Sequence, residues 1–281
     1  MLGAGRVGTA VAVLLGRAGH RIVAVTGRGA TVDRAADHLP GVPIVEPPQA
    51  AASGELVLVG VPDDLLPTMI RTIAPSIRAG TWVAHLSGAR GLEVLAPVVQ
   101  AGGRRLAIHP LQTFPDVDVA IEAIPGSPLA VTAEDAEGWE LGESLGRDLG
   151  ARPFRLAEEH RAIYHAAAVF ASNYLVAVSA LAEELFEAAG VPEPVEAMRP
   201  LQEASLTNVR RLGPAAALTG PVVRGDAGTI GTNLEALAAS APGAVEAYVA
   251  LCRVAIDLAT GLGSLTEEDR ASIEEVLARW S

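Results

Sequence analysis

Three groups of residues in this sequence have types and spacings that could do chemistry. Gly3, Gly5 and Gly8 form G-x-G-x-x-G, with Arg6 and Val7 inside the motif and an apolar run behind it. In a strand-to-helix turn the first glycine permits the bend, the second lets backbone amides approach a diphosphate, and the third lets the helix pack closely. The helix N-terminus adds amide donors and a partial positive charge. The second group is His85-Leu86-Ser87-Gly88 and His109-Pro110-Leu111-Gln112-Thr113-Phe114. Imidazole gives or takes a proton near neutral pH, and His109 is the stronger candidate because a proline fixes the chain after it. The third group is Tyr164 and His165, with Ser172, Asn173 and Ser179, on an apolar helical stretch, followed by Arg224 in the loop Leu218-Thr219-Gly220-Pro221-Val222-Val223-Arg224-Gly225-Asp226.

A scaffold for the first two groups is legible up to about residue 155, where short β-branched runs alternate with helical patterns as βαβ units do. Strands are predicted at Arg21–Val25, Val42–Val45, Leu56–Val61, Trp82–His85, Arg105–Ile108, Leu129–Thr132 and Pro153–Arg155. Helices are predicted between them at Val7–Ala18, Thr31–His38, Asp64–Ile73, Leu92–Gln100 and Glu134–Leu149. From Ala157 the strand signal stops. Helices follow at Glu158–Ala189, Val195–Leu212 with a break near Pro200, Thr229–Ala239, Ala244–Leu262 and Glu267–Trp280, the last opened by a Thr266/Asp269 capping-box pattern. The expected fold is therefore α/β: a doubly wound, mostly parallel sheet over 1–155 and an all-α domain over 156–281. Ala166–Ala182 carries no charge but is interrupted by polar residues, so it reads as a helix buried in protein and not as a membrane span.

Ligands of such sheets lie beyond the carboxyl ends of the strands, where Val61, Pro62, Ser87, Gly88 and His109 fall. At the end of the second strand a dinucleotide enzyme that prefers NAD places an acid. This sequence reads Thr26-Gly27-Arg28-Gly29 instead. Arg28, aided by the Thr26 hydroxyl, can grip a 2′-phosphate, which favours NADP; the alternative is a solvated loop arginine. Other residues keep two readings. Asp63 is an N-cap or a site residue, Ser87 a site residue or a turn cap, Asp226 most simply an N-cap. His165, Ser172 and Ser179 share one stripe that faces either a core or a cleft. Only Met1 and Leu2 precede the glycines, so the first strand is expected to be cut short, through a start downstream of the native one or through trimming. A form with native upstream residues is then expected to melt higher and bind cofactor more tightly.

Composition narrows the chemistry. The chain has 21 arginines, no lysine and 33 acidic residues, a formal net charge of −12. Nucleic acid and anionic membranes reward clustered positive charge, so neither is expected as a partner. Lysine Schiff bases, lysine general bases and Walker A lysines are ruled out. Cys252 is the single cysteine, which allows no internal disulfide, offers no metal cluster and suits a cytoplasmic location. It falls on the stripe Val245, Tyr248, Val249, Cys252, Ile256, which reads as core packing.

Taken in order, the glycine loop, His85-Leu-Ser-Gly88, His109-Pro-Leu-Gln-Thr-Phe114, Tyr164-His-Ala-Ala-Ala-Val-Phe-Ala-Ser-Asn173 and Leu218-Thr-Gly-Pro-Val-Val-Arg-Gly-Asp226 resemble the Rossmann proteins that carry the domain of unknown function 2520. The resemblance spans almost the whole chain. It implies an NADP-dependent oxidoreductase similar in architecture to pyrroline-5-carboxylate reductase, prephenate dehydrogenase and 6-phosphogluconate dehydrogenase, with a helical second domain through which a homodimer forms. It also excludes. The 6-phosphogluconate and β-hydroxyacid dehydrogenases place a lysine four residues before an asparagine on the long helix, and Val169 stands there.

The expected activity is hydride transfer between NADP(H) and a C=O or C=N carbon of a small, anionic metabolite. His109 is the expected proton carrier, Ser87, Tyr164, His165 and Asn173 position the reacting group, and Arg224 holds an anion. The cleft is expected between the domains. The rival reading is a non-catalytic dinucleotide sensor or scaffold, because few strong acid/base groups lie in the second domain.

Overall fold

A computed structural model describes residues 1–280 and divides the chain into two compact units, one ending at Asn173 and one beginning at Tyr174. The first contains α1 (Arg6–Arg17), α2 (Ala30–His38), α3 (Pro47–Ser53), β1 (Leu56–Val59), α4 (Leu66–Ile73), β2 (Trp82–His85), α5 (Ala96–Gln100), β3 (Arg104–Pro110), α6 (Val117–Ala123), β4 (Pro128–Thr132), α7 (Ala136–Asp148), β5 (Arg152–Arg155) and α8 (Arg161–Ala171). β1 to β5 stand side by side in that order, parallel except for the antiparallel pair β3–β4.

Beyond β1 the sheet continues as single bridges, Leu2 to Val59, Leu2 to Thr26 and Val25 to Ile44. The segments thus lie in the order Ile44, Val25–Thr26, Leu2, β1, β2, β3, which is the 3-2-1-4-5-6 sequence of the doubly wound dinucleotide fold. The predicted strands Arg21–Val25 and Val42–Val45 do not form ladders. The segment between them and β1 is Met1–Leu2, so pairing is confined to the bridging residues. β1 reads LVLV with three of four residues buried, as expected of a parallel strand covered on both faces. α1 packs Val11, Leu14 and Leu15 into the main core with Leu106, Ile108, Leu129 and Leu145. Each such side chain contributes about 1.5–3 kcal/mol on burial.

Sequence periodicity missed α3 and α6, both seven residues and too short to repeat a pattern. The predicted helix Leu92–Gln100 divides into a 3-10 turn at Leu92–Leu95 and α5. Asp63 does not cap α4, whose N-cap is Leu65.

The second unit is helical: α9 (Asn173–Ala188), α10 (Pro194–Leu212), α11 (Pro214–Ala217), α12 (Ala227–Ser240), α13 (Val245–Gly261) and α14 (Glu267–Ala278). Its core joins Val222, Ile230, Leu234, Ile273 and Leu277 to the predicted stripe of Val249, Cys252 and Ile256, with Val245 and Tyr248 packed against it. Asp226 caps α12 through the Thr229 amide, and Thr266 caps α14 through the Asp269 amide. Three expectations are corrected. The long helix is two, because Ser172 takes a non-helical backbone (φ −129, ψ −71) between α8 and α9. α10 runs through Pro200 without a break; the proline is exposed, so water satisfies the carbonyl that its missing N–H leaves behind. The apolar stretch is not buried within the chain, since no residue of α9 is buried.

Candidate active site

The glycine loop is built as the motif requires. Gly3 has φ +89, and a Cβ there would lie 2.8 Å from Val61 Cγ1 and 2.9 Å from the Gly60 oxygen. A Cβ on Gly8 would collide with the Gly3 carbonyl oxygen, so the third glycine is demanded by close helix packing. Gly5 differs. A Cβ there would meet only the Gly60 oxygen, at 3.6 Å, an ordinary contact. The chain itself does not need glycine at position 5, and the space over its backbone suits a diphosphate. α1 opens on Gly5 with no side-chain cap and no acid in its first turn, with Arg6 exposed and Val7 half-buried.

The neighbouring residues separate by role. Thr26 is buried, and its hydroxyl accepts a hydrogen bond from Gly3 N at 2.9 Å, which braces the glycine loop. Arg28 is exposed and makes no ion pair among the described residues. Val61 packs on Gly3, and the Pro62 carbonyl accepts from the amides of Leu65 and Leu66 to form the turn into α4. Ser87 Oγ accepts from Arg90 N at 3.0 Å, so its hydroxyl caps the turn after β2.

At the carboxyl end of β3, His109 Nδ1 lies 2.8 Å from the Tyr164 hydroxyl, their rings edge to face. Burial first, then the Arg161 charge, then His165, push His109 down to about 4. Burial pushes the Tyr164 phenol up to about 12, partly offset by Arg161. At neutral pH the pair is an uncharged imidazole and an intact phenol. A Cβ on Gly88 would lie 2.8 Å from both His109 Nε2 and His165 Nδ1, so this glycine leaves a recess that two imidazoles border. His165 Nδ1 is buried and has no hydrogen-bond partner. His85 is fully buried, its Nε2–H donating to the Gly91 carbonyl at 3.1 Å, and burial pushes it down to about 4. Its one ring proton serves the loop, and its buried Nδ1 has no hydrogen-bond partner.

Residues 127–255 match the domain of unknown function 2520, and residues 1–110 match the Rossmann-like domain. Among solved structures, the chain is similar to one from Bacteroides fragilis described as a "putative NADP oxidoreductase" (26% identity, 91% of this chain and 96% of that one, TM-score 0.77). It is also similar to a protein from Thermotoga maritima (21%, 93% and 99%, 0.68) and, in fold, to an imine reductase from Myxococcus stipitatus in complex with NADP+ (18%, 91% and 93%, 0.64). Among curated proteins, none matches.

The structure thus brings together His109, Tyr164, His165 and Gly88 from three separate stretches of chain. It does not bring Asn173, exposed on the first turn of α9, into any hydrogen bond with them. Ser179 accepts from Gln202 at 3.0 Å, a tie between α9 and α10. Arg224 lies exposed in the turn before α12. Two arginines carry roles that the sequence did not signal. Arg34 on α2 donates to the Ala4 carbonyl of the glycine loop at 3.1 Å. Arg161 is 1% exposed and donates to the carbonyls of Ser87 and Arg90 and to the Thr132 hydroxyl. Among 21 arginines neither stands out locally, because a partner more than 25 residues away leaves no spacing to read.

Proposed function

We propose that the protein is an NADP(H)-dependent oxidoreductase acting on a C=O or C=N carbon of a small metabolite. The observation that carries this reading is the His109–Tyr164 pair at a strand end of a dinucleotide fold, its Nε2 turned to the Gly88 recess. Gly3, Gly5, Gly8 and the start of α1 would hold the diphosphate, and Arg28, standing where NAD enzymes carry an acid, would hold the 2′-phosphate. The nicotinamide, when bound, supplies or accepts hydride.

The chain's own contribution is the proton. One proton sits between Nδ1 and the phenol oxygen, which leaves Nε2 to exchange with substrate. With the phenol donating to Nδ1, the neutral imidazole carries its proton on Nε2. In the reductive direction it gives that Nε2 proton to substrate while the phenol refills Nδ1 and the phenolate left behind regains its proton from solvent; the oxidative direction runs the same transfers in reverse. The likeness to the Bacteroides fragilis protein supports the class of reaction.

We also propose that a second copy of the chain covers α9 and α10. Val176 is 68% and Leu201 64% exposed, beside exposed Leu175, Val178, Leu206 and Val209. An apolar surface of this extent is uncommon on a monomer. Sedimentation should give a dimer at micromolar concentration; a monomer would overturn this part.

The activity is tested by measuring NADPH binding, then turnover over imines, 2-oxo acids and aldehydes, with wild type and His109→Ala. Turnover lost in the variant with NADPH affinity intact is the expected result. NADPH binding without turnover on any substrate would replace the enzyme with a dinucleotide sensor.

A further inference from the structure

We infer that Arg161 is the positioning residue of this site: its guanidinium sets the Ser87–Arg90 loop against the helical turn that carries Tyr164 and His165. The inference rests on the oxidoreductase reading for its catalytic consequence and on geometry for its structural one.

The side chain is 1% exposed, and Arg161 forms no ion pair among the described residues. Burying a guanidinium without a carboxylate is costly, and a position that needed only packing would be served by leucine or methionine. Three edges of the fork are committed. Nε donates to the Arg90 carbonyl, NH2 to the Ser87 carbonyl, and NH1 to Thr132 Oγ1 at 2.9 Å, while the Thr132 hydroxyl itself donates to the Leu156 carbonyl at 2.7 Å. A lysine in the same place has no rigid fork to reach three acceptors.

What the fork holds is the recess. Ser87 and Arg90 flank Gly88, over which His109 Nε2 and His165 Nδ1 meet. Arg161 precedes Tyr164 by three residues and His165 by four, so all three lie on one face of α8. A second strap supports the same loop from the same side. Glu158, one turn earlier, accepts from Leu92 N at 2.8 Å and from Glu93 N at 3.3 Å. One buried cation therefore registers a loop after β2, the end of β4 and the first turn of α8 around the reacting imidazole.

Its charge acts on the same groups. The titratable neighbours of this cluster are His85, His109, His165, Tyr164, Asp63, Glu93 and Glu158. Arg161 disfavours the protonated forms of His85 and His109 and favours ionised Tyr164, against weaker opposing effects of Asp63 on both histidines.

The test uses wild type, Arg161→Gln, Arg161→Lys and Thr132→Val of the full chain. Nitrogen-15 NMR of the histidine rings is recorded without substrate, so it is independent of whether an activity has been found. In wild type His109 should stay neutral down to about pH 5, and in R161Q, where the charge is gone but the burial stays, it should titrate higher than in wild type yet below its ordinary value. In R161K, which keeps the charge and loses the fork, His109 should stay neutral while kcat falls about tenfold or more with NADPH affinity unchanged. T132V, which removes one anchor and keeps the charge, should fall less far in the same direction. Backbone amide shifts of Ser87–Arg90 that are the same in R161K as in wild type would overturn the inference even if R161Q fails to fold. So would folded R161K and T132V with wild-type kcat. Absence of any turnover in wild type would instead sink the oxidoreductase reading and leave those amide shifts to decide the positioning role.

Discussion

The phenol of Tyr164 stands 2.8 Å from Nδ1 of His109, a contact between the first turns of α8 and the last residues of β3 across 55 positions of sequence. It orients the imidazole and leaves one nitrogen, Nε2, for the recess over Gly88. Tyr164→Phe removes the partner and keeps the ring, so folding should change by about 1 kcal/mol or less. Proton transfer by a positioned side chain contributes about 10²–10⁴-fold, and kcat should fall by about the lower figure with NADPH affinity unchanged. Steady-state kinetics decide it; a kcat equal to wild type would remove Tyr164 from the mechanism.

The glycine loop predicts a contrast. Gly8→Ala forces a Cβ against the Gly3 carbonyl and should cost about 1–3 kcal/mol of stability. Gly5→Ala meets nothing closer than 3.6 Å and should cost less than about 1 kcal/mol, yet weaken NADPH binding by about tenfold or more. Thermal unfolding and a binding titration on both variants separate the two roles. Equal loss of stability in both would mean that position 5 serves the fold.

The proposed role of Arg28 predicts a cofactor preference. A charged hydrogen bond contributes about 1.5–3 kcal/mol, so Arg28→Ala should weaken NADPH by about 10–100-fold and leave NADH unchanged. Parallel loss for both cofactors would place Arg28 on the diphosphate and not on the 2′-phosphate.

Stability should depend on pH through two buried imidazoles. His85 and His109 are pushed down to about 4, chiefly by burial, from an ordinary value of 6.5. The unfolded chain takes up both protons as pH falls through about 6.5, whereas the folded chain takes them up only near 4. Their contribution is thus complete above about pH 6.5 and is lost between there and about pH 4, at about 1.4 kcal/mol per pH unit for each histidine. Tm should fall steadily over that window, and His85→Gln should flatten the fall. A Tm constant from pH 7 to 5 would contradict the burial of both rings.

Local pattern alone determined the βαβ alternation, the glycine turn, the helical second half, the caps at Asp226 and Thr266 and the Cys252 stripe, because each depends on contacts within a few residues or on a repeated period. His109 was legible as a candidate for the same reason: it follows a strand and precedes a proline. The absence of lysine is likewise a property of composition alone, and it excludes every mechanism that needs an ε-amino group whatever the fold. Tertiary structure alone decided what these groups touch. It tied the Thr26 hydroxyl to Gly3 and the Ser87 hydroxyl to the turn after β2. It broke the long helix at Ser172 and left α9 without a buried residue. It paired His109 with Tyr164 and set Arg161 under the Ser87–Arg90 loop. A guanidinium that closes hydrogen bonds over 71 and 74 positions obeys no local period, so only the folded chain shows it.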